Sequence, residues 1–121
     1  MSDQVVEHHD FSSPDEVRQG DRYRAEIVNL ANGPVARMIL QPGWRWSEDI
    51  KPIAGTRWCE APHQQVLITG RMHVVMANGE ELDLGPGTVS SLPEGHDAWV
   101  VGNEPVVAVD WYGASIWAKA Q

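Results

Sequence analysis

Gln65-Val66-Leu67-Ile68-Thr69-Gly70-Arg71-Met72-His73-Val74-Val75-Met76-Ala77-Asn78-Gly79 is the stretch that decides the fold. It holds two short runs rich in branched and apolar residues, each closed by a glycine. Such runs are too short for stable helices and the right length for strands. Asn78-Gly79 is a tight-turn signal. The same alternation of strand and turn extends both ways. Downstream, 80–84, 88–92, 96–101 and 106–112 read as strands, separated by Gly85-Pro86-Gly87, Pro93-Glu94-Gly95 and Gly102-Asn103-Glu104-Pro105. Upstream, 23–30 and 35–40 read as a pair of strands around Asn32-Gly33, and Pro42-Gly43 ends the second. About eight or nine short strands with turns every 8–12 residues predict an antiparallel sandwich or small barrel.

The flanks differ. Residues 1–20 read as an arm, in which Ser13-Pro14-Asp15-Glu16 has the form of a helix start that Gly20 would end. Trp44 and Trp46 fall on one side of an extended segment, and 48–62, broken by prolines and a glycine, reads as a loop covering a mouth of the barrel. The tail 113–121 is expected to add a short helix. No linker interrupts 21–121, so these residues are expected to form one domain.

The composition narrows the partners. Seventeen acidic against nine basic residues give a net charge of −8, which repels phosphate backbones and argues against nucleic acid. No apolar run approaches the roughly 20 residues that span a bilayer. The N-terminus lacks the basic and apolar regions of an export signal, and Cys59 is the single cysteine. Both lead to the expectation of a cytoplasmic protein with a free thiol. The unsatisfied edges of an antiparallel sheet and six tryptophans lead to the expectation of a homodimer.

At this point the chain resembles the cupins, the small double-stranded β-helix barrels of jelly-roll type. Their first motif runs from Pro-Gly through His-x-His and Glu to Gly, and here Pro42-Gly43 opens it and Gly70 closes it. Their second runs from Gly through Pro-x-Gly and His to Asn, and Gly87 with Pro93-Glu94-Gly95 matches its spacing. The turn residues agree over roughly 35–112, and the usual ligands do not. Counting from Gly70 puts the glutamate position on His63 and the two histidine positions on Arg57 and Cys59; counting from Gly95 puts the last histidine position on Ala98. The resemblance implies an all-β fold, with dioxygenase, isomerase, lyase, decarboxylase or cyclase chemistry among its activities.

Cys59 and His63 thus sit where such barrels place ligands, and His96 shares strand parity with position 98. A thiolate and two imidazoles suit Zn²⁺, with Fe²⁺, Ni²⁺ or Cu²⁺ as other candidates. His73 is a further candidate ligand or hydrogen-bond donor to one. The alternatives are an inert buried cysteine and a polar pocket without metal. Trp58 and Trp99 flank the candidate ligands in sequence, and together with Trp46, Arg57 and Lys51 they form the expected lining of a pocket for a small organic molecule. The expected function is that of a metal-dependent enzyme acting on such a molecule, and the alternative is a metal-free small-molecule sensor.

Overall fold

The structure, a computed structural model, describes residues 5–113 and 117–120. Nine strands and two single-turn helices follow one another as β1 Glu16–Gln19, β2 Tyr23–Leu30, β3 Gly33–Leu40, α1 Trp46–Asp49, α2 Lys51–Ala54, β4 His63–Thr69, β5 Arg71–Met76, β6 Glu81–Leu84, β7 Val89–Leu92, β8 His96–Val101 and β9 Val106–Asp110. Two antiparallel sheets face each other. One has the order β1-β2-β3-β9-β4-β7 and the other β6-β5-β8. This is the all-β, two-sheet architecture expected for the chain.

Alternation builds the core. On β5, Met72, Val74 and Met76 are buried while Arg71, His73 and Val75 face outward or lie half-buried. On β9, Val106, Ala108 and Asp110 point inward. These rows meet Ala25, Ile27, Ala36, Met38, Leu40, Leu67, Leu84 and Leu92 from the other strands. Side chains on one face of each strand thus converge on a single apolar interior.

The chain passes from the larger sheet to the smaller at Gly70, between β4 and β5. Its φ is +78°, and a Cβ there would lie 2.6 Å from the carbonyl oxygen of Pro105. Only glycine fits such a close left-handed corner. Its N–H donates to Glu104 Oε1 at 2.8 Å, which ties the corner to the loop before β9.

Three expectations are corrected. Residues 16–19 form a strand rather than a helix, because they pair with β2 from Glu16↔Ile27 to Gln19↔Arg24. Residues 46–54 are two helical turns rather than a loop or an extended segment, with Pro52 in the first turn of α2 and Gly55 closing it at φ +76°. Trp44 and Trp46 are both buried. The expected C-terminal helix falls partly on residues outside those described, and 117–119 form a turn in which Trp117 packs edge-on against Tyr23. Among the described residues no helix is long and apolar enough to cross a membrane.

Candidate metal centre

Cys59 precedes β4 and is fastened to the start of β8. Its N–H donates to the His96 carbonyl at 2.8 Å, and its own carbonyl accepts from Gly95 N–H at 2.7 Å. His96 opens β8 and His63 opens β4. Three local starts therefore bring one thiol and two imidazoles to the same end of the interior. All three residues are buried, and a donor atom from each lies within 4.8 Å of the other two. Cys59 Sγ is 3.8 Å from His63 Nε2, and the two imidazole centroids are 5.1 Å apart.

The outer nitrogens are already used. His63 Nδ1 donates to Asp110 Oδ2, at the end of β9. His96 Nδ1 donates to the Pro93 carbonyl at 3.0 Å. A carbonyl oxygen only accepts, so the proton of neutral His96 sits on Nδ1 and Nε2 keeps its lone pair. His63 thus turns Nε2 toward the thiol, and both rings have Nδ1 held by an oxygen acceptor, which is the way metal-binding histidines are commonly held. Asp110 is itself anchored by the N–H of Tyr112 at 2.9 Å.

Electrostatics favour a charged pair. Burial pushes the Cys59 thiol up, but hydrogen bonding and charge from His63 and His96 outweigh it and bring the thiol from 9.0 down to about 6. Burial pushes His63 down, but its hydrogen bonds to Asp110 and Cys59 hold it at about 9, above the usual 6.5. A thiolate is the form of cysteine that binds metals and attacks electrophiles. The donor set fits a metal. Tetrahedral Zn²⁺ with ordinary bond lengths places its N and S donors roughly 3.3–3.7 Å apart, so the 3.8 Å pair is nearly in place and the widest pair must close by about 1 Å.

These groups line a cavity shared with Met38, Leu40, Trp44, Trp46, Gln65 and Met72. Its free volume is about 20 Å³, enough for an ion or one water. Trp46 and Trp117 also line a smaller cleft beside Cys59, walled by Ile50, Ala54 and Lys119. The α1–α2 segment and the C-terminal turn thus form the wall on that side.

The other sequence candidates lie elsewhere. His73 faces outward from β5, where Nδ1 meets Asp83 Oδ1 at 2.7 Å and Nε2 meets Glu81 Oε1 at 2.8 Å. Parity explains this, since Met72 and Val74 take the inward places. Trp99 stacks on His73 at 4.9 Å between centroids, on the same outer face, with the Arg45 guanidinium 4.3 Å above its ring. Arg57 and Lys51 are exposed, and Arg57 lies 5.8 Å over the ring of half-buried Trp58. Of the expected pocket residues only Trp46 lines the cavity. Asp110 and Gln65 were not foreseen. The signal for each was parity: Asp110 ends the inward row after Val106 and Ala108, and Gln65 lies two residues beyond His63.

No protein-family model and no curated protein matches the chain. Solved structures do. A protein of unknown function from Rhizobium leguminosarum bv. viciae 3841 superposes with a TM-score of 0.63 at 18% identity, covering 90% of this chain and 98% of that one. A cupin-like protein from Thermotoga maritima gives 0.57 at 15%, over 88% of this chain and 82% of its own. Ectoine synthase from P. lautus gives 0.58 at 14%, over 91% and 79%. At these identities the likeness speaks for architecture alone, and with the two-sheet topology described above it assigns the chain to the cupin fold.

Proposed function

We propose that the protein is a metal-dependent cupin enzyme that binds a divalent ion through Cys59, His63 and His96 and acts on a small organic molecule. The observation that carries this reading is the buried trio itself, with every donor within 4.8 Å of the others and both imidazoles fixed through Nδ1. One thiolate and two imidazoles favour Zn²⁺ over Fe²⁺, Ni²⁺ or Cu²⁺. Three protein donors leave a coordination position open, as in catalytic rather than structural zinc sites. A bound ion of this kind supplies Lewis-acid chemistry. The chain supplies orientation through Asp110 and Pro93 and a largely apolar wall around the donors. A metal-free sensor ranks second, because one thiol and two imidazoles gathered within 4.8 Å form a metal donor set rather than the lining of an organic-ligand pocket.

Elemental analysis of untagged protein tests the proposal. The expected result is near-stoichiometric metal in the wild type and its loss in Cys59→Ala, His63→Ala and His96→Ala. Metal-free protein with no thermal shift on adding Zn²⁺, Fe²⁺, Ni²⁺ or Cu²⁺ would overturn it. The proposed setting is the cytoplasm, where the buried thiol stays reduced.

A further inference from the structure

Two buried polar atoms on residues lining the cavity have no hydrogen-bond partner: Trp44 Nε1 and Gln65 Oε1. Trp44 is 3% exposed and Gln65 1%. Buried polar atoms are nearly always satisfied, so two on one cavity call for an occupant. Their needs are opposite, since an indole N–H only donates and an amide oxygen only accepts. They also come from different parts of the fold. Gln65 is on β4 of the larger sheet, and Trp44 is tied by its carbonyl to Val100 N–H of β8, at 3.1 Å, in the smaller one. An oxygen that both accepts and donates is the kind of group that meets both needs. A carboxylate cannot donate, an ammonium cannot accept, and an alkyl group does neither. The free volume of about 20 Å³ exceeds the roughly 10–15 Å³ that one water requires.

We propose that Trp44 and Gln65 form a hydroxyl-binding site beside the Cys59–His63–His96 donors, filled by water when no substrate is present and by the hydroxyl of a small substrate when one enters. The water site stands on the cavity alone. The substrate class, a small hydroxylated compound rather than its ether or hydrocarbon analogue, rests on the enzyme reading above.

The Trp44 indole proton reports on both. In ¹⁵N-labelled protein its resonance is identified by its loss in Trp44→Phe. Metal-free wild type is expected to show a nuclear Overhauser effect from a long-lived water to this proton, lost in Gln65→Met. Absence of that effect in wild type overturns the site. Titration with glycolamide and its O-methyl analogue, methoxyacetamide, supplies the second arm. Glycolamide is expected to bind at least about tenfold more tightly and to shift the Trp44 resonance downfield, with the preference lost in Gln65→Met. Equal affinity for the two probes overturns the substrate class while leaving the water site standing. Should Gln65→Met fail to fold, loss of the glycolamide preference in Trp44→Phe carries the same test. The water arm uses metal-free protein, so failure of the metal proposal leaves its outcome unchanged.

Discussion

Asp110 receives the Nδ1 proton of His63 and the backbone N–H of Tyr112, so one carboxylate orients a ring and closes the end of its own strand. Replacing it with asparagine keeps the shape and removes the charge that favours the orientation. Asp110→Asn is expected to weaken zinc binding by about 10–100-fold with little change in fold, measured by competition with a chromophoric chelator. Unchanged affinity would mean that Asp110 serves the strand and not the ring. His73 is a separate residue-scale case. Hydrogen bonds to Asp83 and then Glu81 raise its pKa above the usual 6.5. A raised folded-state pKa stabilises the protein fully below the unfolded value and loses that contribution as pH rises through the folded value. An NMR titration is expected to place His73 above 6.5 in the wild type and lower in Asp83→Asn with Glu81→Gln. A titration at or below 6.5 in the wild type would show that the two carboxylates do not hold the proton.

Among the elements, the corner at Gly70 joins the two sheets with no slack. Alanine there meets both a left-handed φ of +78° and the Pro105 carbonyl at 2.6 Å. Gly70→Ala is expected to cost roughly 2–4 kcal/mol, seen as a lower urea midpoint at an unchanged slope. A midpoint within error of the wild type would show that the loop before β9 yields easily. The elements also show what could be read from sequence. Eight strands were legible because each is a short alternating run bounded by Gly, Pro or Asn. β1 was not, because Ser13-Pro14-Asp15-Glu16 satisfies the rules of a helix start and only its pairing with β2 decides otherwise. Cys59, His63 and His96 were legible as a set from motif position and parity. Trp99 was drawn toward the pocket by its nearness to His96 in sequence, although three residues along a strand lead to the opposite face. Asp110 lies 47 residues from His63, and their contact exists only once β9 has found its place.

At the scale of the whole molecule, the outer face of the larger sheet is apolar where β4, β7 and β9 meet. Ile68 is 51% exposed, Val89 66% and Trp111 42%, while Val66 and Val89 are paired across the strands. A homodimer through this face is the proposed assembly. Light scattering is expected to give twice the 13.4 kDa chain mass, and Val89→Lys with Ile68→Lys to give the monomer. A wild-type monomer at micromolar concentration would remove the proposal.

The sheet order carries a consequence for how the protein comes into being. β9, the last strand among the described residues, lies between β3 and β4. A ribosome releases β3 and β4 long before the residues that must be threaded between them. The larger sheet stays split during that interval, with two raw edges and with His63 lacking its carboxylate. Completing the sheet thus requires a late pairing between strands distant in sequence, a kind of pairing that forms slowly in general. A nascent chain stalled before residue 106 would hold the thiol and both imidazoles without the strand that aligns them. Under the metal proposal, an ordered donor set therefore belongs to the finished polypeptide and not to the growing one.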